Sequence, residues 1–348
     1  MTGKRIKPIK LEDLSKKLGV SKVTVSKALR NHPDISQETT LKVKALAEKL
    51  GYMPNYMAKN LSSRKTNTIG LVVPKIAHFF FGSVIESVYN TAFDNNYEIV
   101  LTVSQESAER ERKHILSLLS MQVDGLIISI TQETKDISIF ERAIKLNVPI
   151  VFIDRVPDIS DVPTVTVDDR GGAFNAVEHF IEDDITKIGH IGGYPYINIG
   201  KARYEGFCEA MNKYSIPINE DWITLGGFGE EDGYRGFKKI YESGSIPEAI
   251  FAVTYPVALG IYEAALELGI KIPADLKITC FGNNTYKKSI PSVFSFVDQP
   301  TLELGREAVK LMIELINNPK DYKSINIELK TKLMSNGNAR ANELQYVV

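Results

Sequence analysis

The chain has 348 residues, of which 43% are hydrophobic, enough for two or three domains with large cores. The formal net charge of −1 conceals an asymmetry: residues 1–65 carry 15 Lys and Arg against 5 Asp and Glu, and the remaining 283 residues carry 27 against 38. A basic N-terminal segment on an acidic remainder predicts a polyanionic partner for that segment, and a solvated basic tail is the alternative.

Targeting and cysteine signals point to the cytoplasm. No apolar run approaches the ~20 residues of a membrane-spanning helix, and the charged N-terminus lacks the apolar core of a secretory signal. Cys208 and Cys280 have no CxxC spacing, so we expect reduced, buried thiols.

Residues 1–53, hereafter the head, contain three short helical patterns. Each has apolar residues at helical spacing and is bounded by a capping Ser or a terminating Gly. Gly19-Val20 is the tight connection expected between the two helices of a helix-turn-helix. The expected buried stripes are Leu11, Leu14 and Leu18, then Val25, Ala28 and Leu29, then Val43, Leu46, Ala47 and Leu50, with boundaries at Gly19, Ser21, Ser36 and Gly51.

The second of these helices leaves a basic, small-residue face outside its apolar stripe. In a helix-turn-helix its first turn enters the major groove and meets base edges. Lys donates to guanine acceptors, and the methyl groups of Val and Thr pack on thymine methyls. We therefore expect base contacts from Lys22, Val23, Thr24 and Lys27, and phosphate contacts from Ser21, Ser26 and Arg30. The alternative is a small bundle used for protein contacts.

Residues 54–67 predict a short helix with an unusual leucine. Pro54 ends the preceding helix and Asn55 can cap a new one of two turns, too short to be stable alone. Leu61 has no domain of its own to bury in, which suits a wedge into the DNA minor groove. The alternative is a linker whose Leu61 packs on the rest of the protein.

The rest of the chain, residues 68–348 or the body, alternates strand and helix patterns. This alternation favours an α/β fold with doubly wound parallel sheets, and a second such unit starts near Asp168. Two lobes of this kind bind ligands in a cleft at the carboxyl ends of their strands. We expect strands within 68–75, 97–104, 124–130, 149–154, 187–193, 222–227, 248–253 and 276–282, and helices at 80–95, 107–121, 138–146, 200–214, 231–243 and 257–268.

Two long motifs carry a resemblance to a known family. "IKLEDLSKKLGVSKVTVSKALRN" and "LAEKLGYMPNYMAKNLSSRKTNTIGLVVP" resemble the N-terminus of lactose-repressor (LacI/GalR) family transcription regulators. "VDGLIIS", "VPIVFIDR", "KIGHIGG", "RYEGFCEAM" and "SFVDQP" follow in the family's order. The resemblance covers residues 6–340.

The resemblance implies an N-terminal all-α helix-turn-helix head on a two-lobed, periplasmic-binding-protein-like body with parallel sheets. It implies a homodimer on double-stranded operator DNA, with dimer contacts along helices at about 80–95 and 107–121. Hinge contacts to DNA are implied for Asn55, Ala58, Lys59 and Leu61. The implied domains are 1–53 for DNA binding, 54–67 for hinge helix and linker, and 68–348 for effector binding and dimerisation. Lobe one is implied over about 68–166 plus 299–331, and lobe two over about 167–298 plus 332–348, with crossings near 166–168, 297–299 and 331–334.

The resemblance also implies a small-molecule effector in the cleft, most simply a sugar. The positions that match the family's effector site are His78, Phe79, Phe80, Asp154, Arg155, Asp168, Arg203, Phe228, Thr254, Tyr255 and Asn283. The guanidinium of Arg203 can hold paired hydroxyls or a carboxylate, and the carboxylate of Asp154 can accept two hydroxyls. Either Phe80 or Phe228 can instead be core, and Asp168 can instead be a helix cap.

Departures from the family pattern leave the effector open. Thr254-Tyr255 stands where the family usually has Asn-Asp, Gly282 lies where an acidic residue is usual, and His78-Phe79-Phe80-Phe81 replaces an Asn-Pro-Phe-Phe turn. The expected effector is an unusual sugar, a sugar acid or phosphate that uses Arg203, or a compound that is not a carbohydrate.

Enzyme motifs are missing from the sequence. The glycine clusters in "KIGHIGGYPYINIG" and "LGGFGEEDGYRG" match neither GxxxxGK[ST] nor a well-placed GxGxxG, and the histidines show no metal-ligand spacing. We expect no catalysis, cofactor or metal. The alternatives to a DNA-binding regulator are a solute-binding receptor and a sugar-modifying α/β enzyme.

Overall fold

The computed structural model describes residues 9–52, 65–76, 79–282, 293–318 and 325–335, with only the backbone of Phe79. The chain forms two compact units, residues 1–66 and residues 67–348. Within the described ranges, no helix combines the length and apolar character that crossing a membrane requires.

Residues 9–52 of the head form three helices: α1 (Leu11–Leu18), α2 (Lys22–Leu29) and α3 (Gln37–Leu50). Gly19 and Gly51 end α1 and α3 with φ of 65° and 64°, a left-handed conformation that favours glycine. The Oγ of Ser21 accepts from the Thr24 N–H at 3.0 Å and the Oγ of Ser36 accepts from the Thr39 N–H at 3.3 Å. The predicted helices and caps are confirmed. The buried core of the head is Leu14, Val25, Ala28, Val43 and Ala47.

The first lobe of the body is built on a six-stranded, all-parallel sheet. Its strands are β1 (Thr68–Val73), β2 (Glu98–Val103), β3 (Gly125–Ile128), β4 (Ile150–Ile153), β5 (Thr164–Val167) and β11 (Asn326–Leu329), in the order β11-β5-β4-β3-β1-β2. Its helices are α4 (Phe79–Asp94), α5 (Ala108–Ser120), α6 (Ser138–Lys145) and α11 (Thr301–Asn317).

The second lobe repeats this plan with one antiparallel edge. Its strands are β6 (Ile188–Gly192), β7 (Ile223–Leu225), β8 (Ala249–Ala252), β9 (Lys277–Phe281), β10 (Ser295–Asp298) and β12 (Lys332–Met334), in the order β12-β10-β9-β8-β6-β7. All neighbours pair in parallel except β10 and β12. Its helices are α7 (Asp169–Glu182), α8 (Asn198–Lys213), α9 (Glu230–Glu242) and α10 (Tyr255–Glu267), with a 3₁₀ turn at Glu220–Trp222.

Strand β1 shows why the first sheet takes helices on both faces. Ile69, Leu71 and Val73 point to one face, where they join the core of α4 and α11, and Val72 joins the core of α5 and α6 on the other. A Cβ on Gly70 would lie 2.8 Å from a Leu118 methyl of α5, so glycine allows that helix to pack closely.

In the part of the chain that the structure describes, the backbone passes between the lobes three times: between β5 and α7, between β10 and α11, and between β11 and β12. The predicted fold class, parallel sheets in a two-lobed body after a helical head, is confirmed. Helix α11 and the short strands β5, β10, β11 and β12 were not among the elements expected from the sequence.

Candidate functional site

The outward face of α2 is the candidate DNA surface of the head. Because Val25 and Ala28 are buried against α1 and α3, the side chains of Ser21, Lys22 and Val23 face outward. Val23 is 65% exposed, unusual for an apolar residue in so small a bundle. Among the other predicted contacts, Arg30 is exposed and Thr24, Ser26 and Lys27 are half-buried.

Short-range pairs hold the basic side chains of this face. Lys22 Nζ lies 3.2 Å from Glu12 Oε2, and Lys27 Nζ lies 2.6 Å from Asp34 Oδ2. Hydrogen bonding to these lysines lowers the pKa of both Glu12 and Asp34. Such surface pairs contribute little to stability, so the lysines can exchange these partners for groups on DNA.

The body contains a cavity of about 330 Å³ between its two lobes. Its lining residues follow the carboxyl ends of the parallel strands, where open α/β sheets bind ligands. The lining is Lys75, Phe80, Phe81, Glu106, Gln132, Asp154, Arg155, Ile199, Arg203, Phe228, Gly229, Glu230, Asp232, Thr254, Tyr255, Pro256, Leu259, Phe281, Gly282, Gln299 and Thr301.

Arg203 of α8 is 2% exposed and fixed on three sides. Its Nε and Nη2 lie 2.8 and 2.7 Å from Asp169 Oδ1, its Nη1 donates to the Val253 carbonyl at 2.6 Å, and its Cζ lies 3.7 Å from the Phe281 ring centroid. Burial raises the pKa of Asp169 to about 6, an effect that the Arg203 charge opposes. The carboxylate of Asp169 is therefore ionised and paired at neutral pH.

Arg155 forms the second buried ion pair of the cavity. Its Nη1 lies 2.9 Å from Glu106 Oε2, and both side chains are almost completely buried. Its Cζ lies 4.7 Å from the ring centroid of Phe228 in the opposite lobe, a cation–π contact across the cleft. Glu106 also accepts the Gln132 N–H at 2.9 Å, which fixes the loop after β3.

Asp154 follows β4 in a left-handed backbone conformation, with φ of 58°. Such a conformation costs a non-glycine residue about 1–3 kcal/mol and is concentrated at functional sites. Its carboxyl group is 5% exposed and accepts a hydrogen bond from Ser129 Oγ at 3.4 Å. Burial raises the pKa of Asp154, and the charges of Arg155 and Arg203 oppose that shift.

Asn198, at the start of α8, joins the two lobes beside this residue. Its Nδ2 donates to the Asp154 carbonyl and its Oδ1 accepts from the Val156 N–H, both at 2.9 Å. One amide side chain thus satisfies two backbone groups of the opposite lobe.

The cavity brings together most of the predicted effector residues. Phe80, Asp154, Arg155, Arg203, Phe228, Thr254 and Tyr255 all line it. Thr254 also caps α10, accepting from the Val257 N–H at 3.4 Å while it donates to the Phe228 carbonyl at 2.9 Å. His78, the side chain of Phe79, and Asn283 lie outside the described residues, as do the hinge residues Asn55, Ala58, Lys59 and Leu61.

Asp168 does not line the cavity, contrary to its predicted place in the effector site. Its Oδ1 accepts from the Gly171 N–H at 2.8 Å as the cap of α7, and its Oδ2 lies 3.0 Å from Lys330 Nζ. The next residue, Asp169, bonds Arg203 instead. The difference arises because Asp168 is the capping residue while Asp169 lies in the first turn of α7 and points inward.

Sequence reasoning missed several polar lining residues, notably Glu106, Gln132 and Gln299. Each follows the carboxyl end of a strand, β2, β3 and β10 respectively. A polar residue within four positions of the carboxyl end of a strand was the signal that could have identified them. No sequence pattern indicates that Glu106 pairs with Arg155, which is 49 positions away along the chain.

Comparisons with known proteins agree with this geometry. The sequence profile "Bacterial regulatory proteins, lacI family" matches residues 10–55, and "Periplasmic binding proteins and sugar binding domain of LacI family" matches residues 66–334. The chain is 33% identical to the NTD biosynthesis operon regulator NtdR of Bacillus subtilis (strain 168) over 325 residues, 93% of this chain and 98% of that protein.

Two solved structures share the fold. One is a lac repressor dimer bound to operator and the anti-inducer ONPF, with a TM-score of 0.82 and 23% identity over 94% of this chain and 98% of that one. The other is a LacI family transcriptional regulator from Enterococcus faecium with bound ribose, with a TM-score of 0.66 and 26% identity over 77% of this chain and 97% of that one.

The chain belongs to the LacI family of bacterial regulatory proteins. It is a DNA-binding transcription regulator with an effector-binding body, and its relatives are regulators rather than enzymes, as the sequence predicted.

Proposed function

We propose that the protein is a homodimeric repressor whose heads read the two half-sites of a near-palindromic operator and whose affinity for that operator is set by a sugar-like effector in the body cavity. The proposal rests above all on α2, which exposes Lys22 and Val23 in the first turn of a helix-turn-helix. The operator-bound lac repressor dimer and the ribose-bound regulator support the partner and effector classes by similarity.

The domain boundaries of this proposal are those of the sequence: 1–53 for DNA, 54–67 for the hinge, and 68–348 for effector binding and dimerisation in the cytoplasm. Paired Leu61 side chains from two chains wedge a base step at the centre of the operator. The dimer forms along α4 and α5, where Phe93 is 77% and Tyr89 41% exposed.

Effector control follows from where the cavity lies. Its lining comes from both lobes, so a ligand that contacts both binds one lobe arrangement better than another. A changed arrangement of the first lobes alters the spacing of the two hinges in the dimer and therefore the affinity for the operator.

The test is selection of bound duplexes from a randomised DNA pool with the full chain. We expect enrichment of a motif with two related half-sites. Val23→Ser is expected to weaken the preference for one base in each half-site, a loss of about 1–3 kcal/mol of discrimination, because the apolar contact to a thymine methyl is lost.

Lys22→Ala and Lys44→Ala give a matched pair for the same measurement. Both remove one exposed lysine of the head, but Lys44 lies on α3. Lys22→Ala should change the selected motif, whereas Lys44→Ala should leave it intact. No enriched motif, or the same motif from the wild type, Val23→Ser and Lys22→Ala, would contradict the proposed DNA surface.

A further inference from the structure

Five buried or nearly buried charged side chains lie at the body cavity, and their charges do not balance. Four of them line it, and Asp169 lies directly behind Arg203. Three are carboxylates and two are guanidiniums: Glu106, Asp154, Asp169, Arg155 and Arg203.

Both guanidiniums already have a carboxylate partner. Arg155 pairs with Glu106 at 2.9 Å and Arg203 with Asp169 at 2.7 Å, in each case between nearly buried side chains. An acidic effector bound through either guanidinium would have to displace its carboxylate and leave that carboxylate buried without a partner, which is strongly unfavourable. The expectation of a sugar acid or phosphate on Arg203 therefore loses its physical basis.

Asp154 is the carboxylate left over. Among the described residues no cationic group forms an ion pair with it, and the hydrogen bond from Ser129 is long at 3.4 Å. A buried carboxylate without a partner is costly, and the raised pKa of Asp154 reflects that cost. A cation that enters the cavity and pairs with the Asp154 carboxylate would remove this cost.

Two buried donors of the lining also lack acceptors. Within the described part of the chain, Arg155 Nε and Gln299 Nε2 have no hydrogen-bond partner. Both side chains are more than nine-tenths buried. Arg155 and Gln299 line the cavity, but these two nitrogens have almost no free surface, so hydroxyl oxygens of a ligand accept from them once the two side chains turn towards it.

We propose that the effector is an amino-substituted sugar or polyol, whose ammonium group is paired with Asp154 and whose hydroxyl oxygens accept from Arg155 Nε and Gln299. This inference rests on the proposed function only in taking the cavity as the effector site. It names the effector class, which distinguishes amino sugars from the neutral and acidic sugars of the same shape.

The experiment compares matched sugars on the full chain by isothermal titration. Three scaffolds, glucose, galactose and mannose, are each used as the parent sugar, the 2-amino-2-deoxy sugar and the uronic acid. On at least one scaffold the amino sugar is expected to bind at least tenfold tighter than its parent, and no uronic acid is expected to bind tighter than its parent.

Asp154→Asn removes the charge with little change of shape, and Asn tolerates the left-handed backbone at this position. It should reduce the ratio of amino-sugar to parent affinity to near one. Asp168→Asn is the matched control, because Asn still caps α7 and the residue does not line the cavity. It should keep the full ratio.

The inference is overturned if a parent sugar or a uronic acid binds tightest, if no amino sugar in the set is preferred, or if Asp154→Asn keeps the preference. The DNA selection described above is carried out without sugar and separates the two failures. A selected operator motif with no preference for amino sugars overturns this inference alone, and failure to select any motif overturns the proposed function.

Discussion

The basic face of α2 and the wall of the cavity both carry ion pairs, but they hold them in opposite ways. On α2, Lys22 and Lys27 pair with carboxylates ten and seven residues away, in contact with solvent. In the cavity, Arg203 and Arg155 pair with residues 34 and 49 positions away, and all four side chains are buried or nearly so.

This difference separates two kinds of binding surface. Exposed pairs cost little to exchange, so the head can adapt its lysines and Arg30 to a polyanion. Buried pairs are expensive to break, so the body offers a ligand fixed groups in fixed positions. Three predictions test this comparison, and the first has the largest expected effect.

Arg203→Ala should lower the free energy of unfolding of the body by about 3–5 kcal/mol, because it leaves Asp169 buried without its partner. The single tryptophan, Trp222, lies in the body, so its fluorescence during urea unfolding reports this unit. The control is Arg235→Ala, which breaks exposed pairs with Glu231 and Asp232 and should cost less than about 1 kcal/mol. Equal unfolding curves for the two variants would remove the distinction between buried and exposed pairs.

The two units should also differ in their response to pH. Burial raises the pKa of Glu111, a core residue of α5, from 4.5 to about 7. Because the folded-state pKa is raised, the contribution of Glu111 to the free energy of unfolding is fully present below pH 4.5 and is lost as the pH rises to about 7. The loss amounts to roughly 3 kcal/mol. Glu111→Gln cannot ionise, so the difference in unfolding free energy between this variant and the wild type should grow in favour of the variant from pH 5 to pH 8.

In the head, the pKa values of Glu12, Asp34 and Glu38 are lowered by pairing with lysines. These groups stabilise the head above their ordinary pKa values and lose that effect only as pH falls through the lowered ones. These three carboxylates should therefore produce no change in the free energy of unfolding between pH 5 and pH 8. Backbone circular dichroism can check this on a His32→Gln variant, which removes the histidine that lies 3.4 Å from Asp34. For the body, a difference in free energy of unfolding between Glu111→Gln and the wild type that stays constant from pH 5 to pH 8 would contradict the raised pKa of Glu111.

The smallest expected effect is on the cap of α2. Ser21→Ala removes the acceptor for the Thr24 N–H and should lower the stability of the head by about 1 kcal/mol, without changing the Trp222 transition. Ser21→Asn retains a capping side chain and should restore the stability. If both variants are as stable as the wild type, the cap contributes nothing measurable.

The same contrast explains what the sequence could predict. The helices of the head were predicted with their caps because each signal, Ser21, Ser36, Gly19 or Gly51, acts within one turn of chain. The continuous apolar runs of β3, β4 and β8 were predicted for a similar reason. Strands β5, β10, β11 and β12 were missed because each has only three or four residues and includes polar ones, which leaves no continuous apolar run.

The candidate site was predictable only in part. The family motifs identified Asp154, Arg155 and Arg203 as positions at the cleft, and the structure places all three on the cavity wall. Which carboxylate pairs with which guanidinium depends on distant segments that meet only in the fold. For that reason the sequence predicts Asp168 as a site residue, but neither Asp169 nor Glu106.

The three crossings between the lobes determine what a truncation of the chain removes. Because β12 completes the second sheet while α11 and β11 complete the first, the last segment of the body belongs to both lobes. A stop codon placed after β10 would strip α11 and β11 from one lobe and β12 from the other in a single event. A stop codon anywhere between β10 and the end of β11 therefore damages both walls of the cavity at once, whereas one placed after β11 removes only β12, from the second lobe.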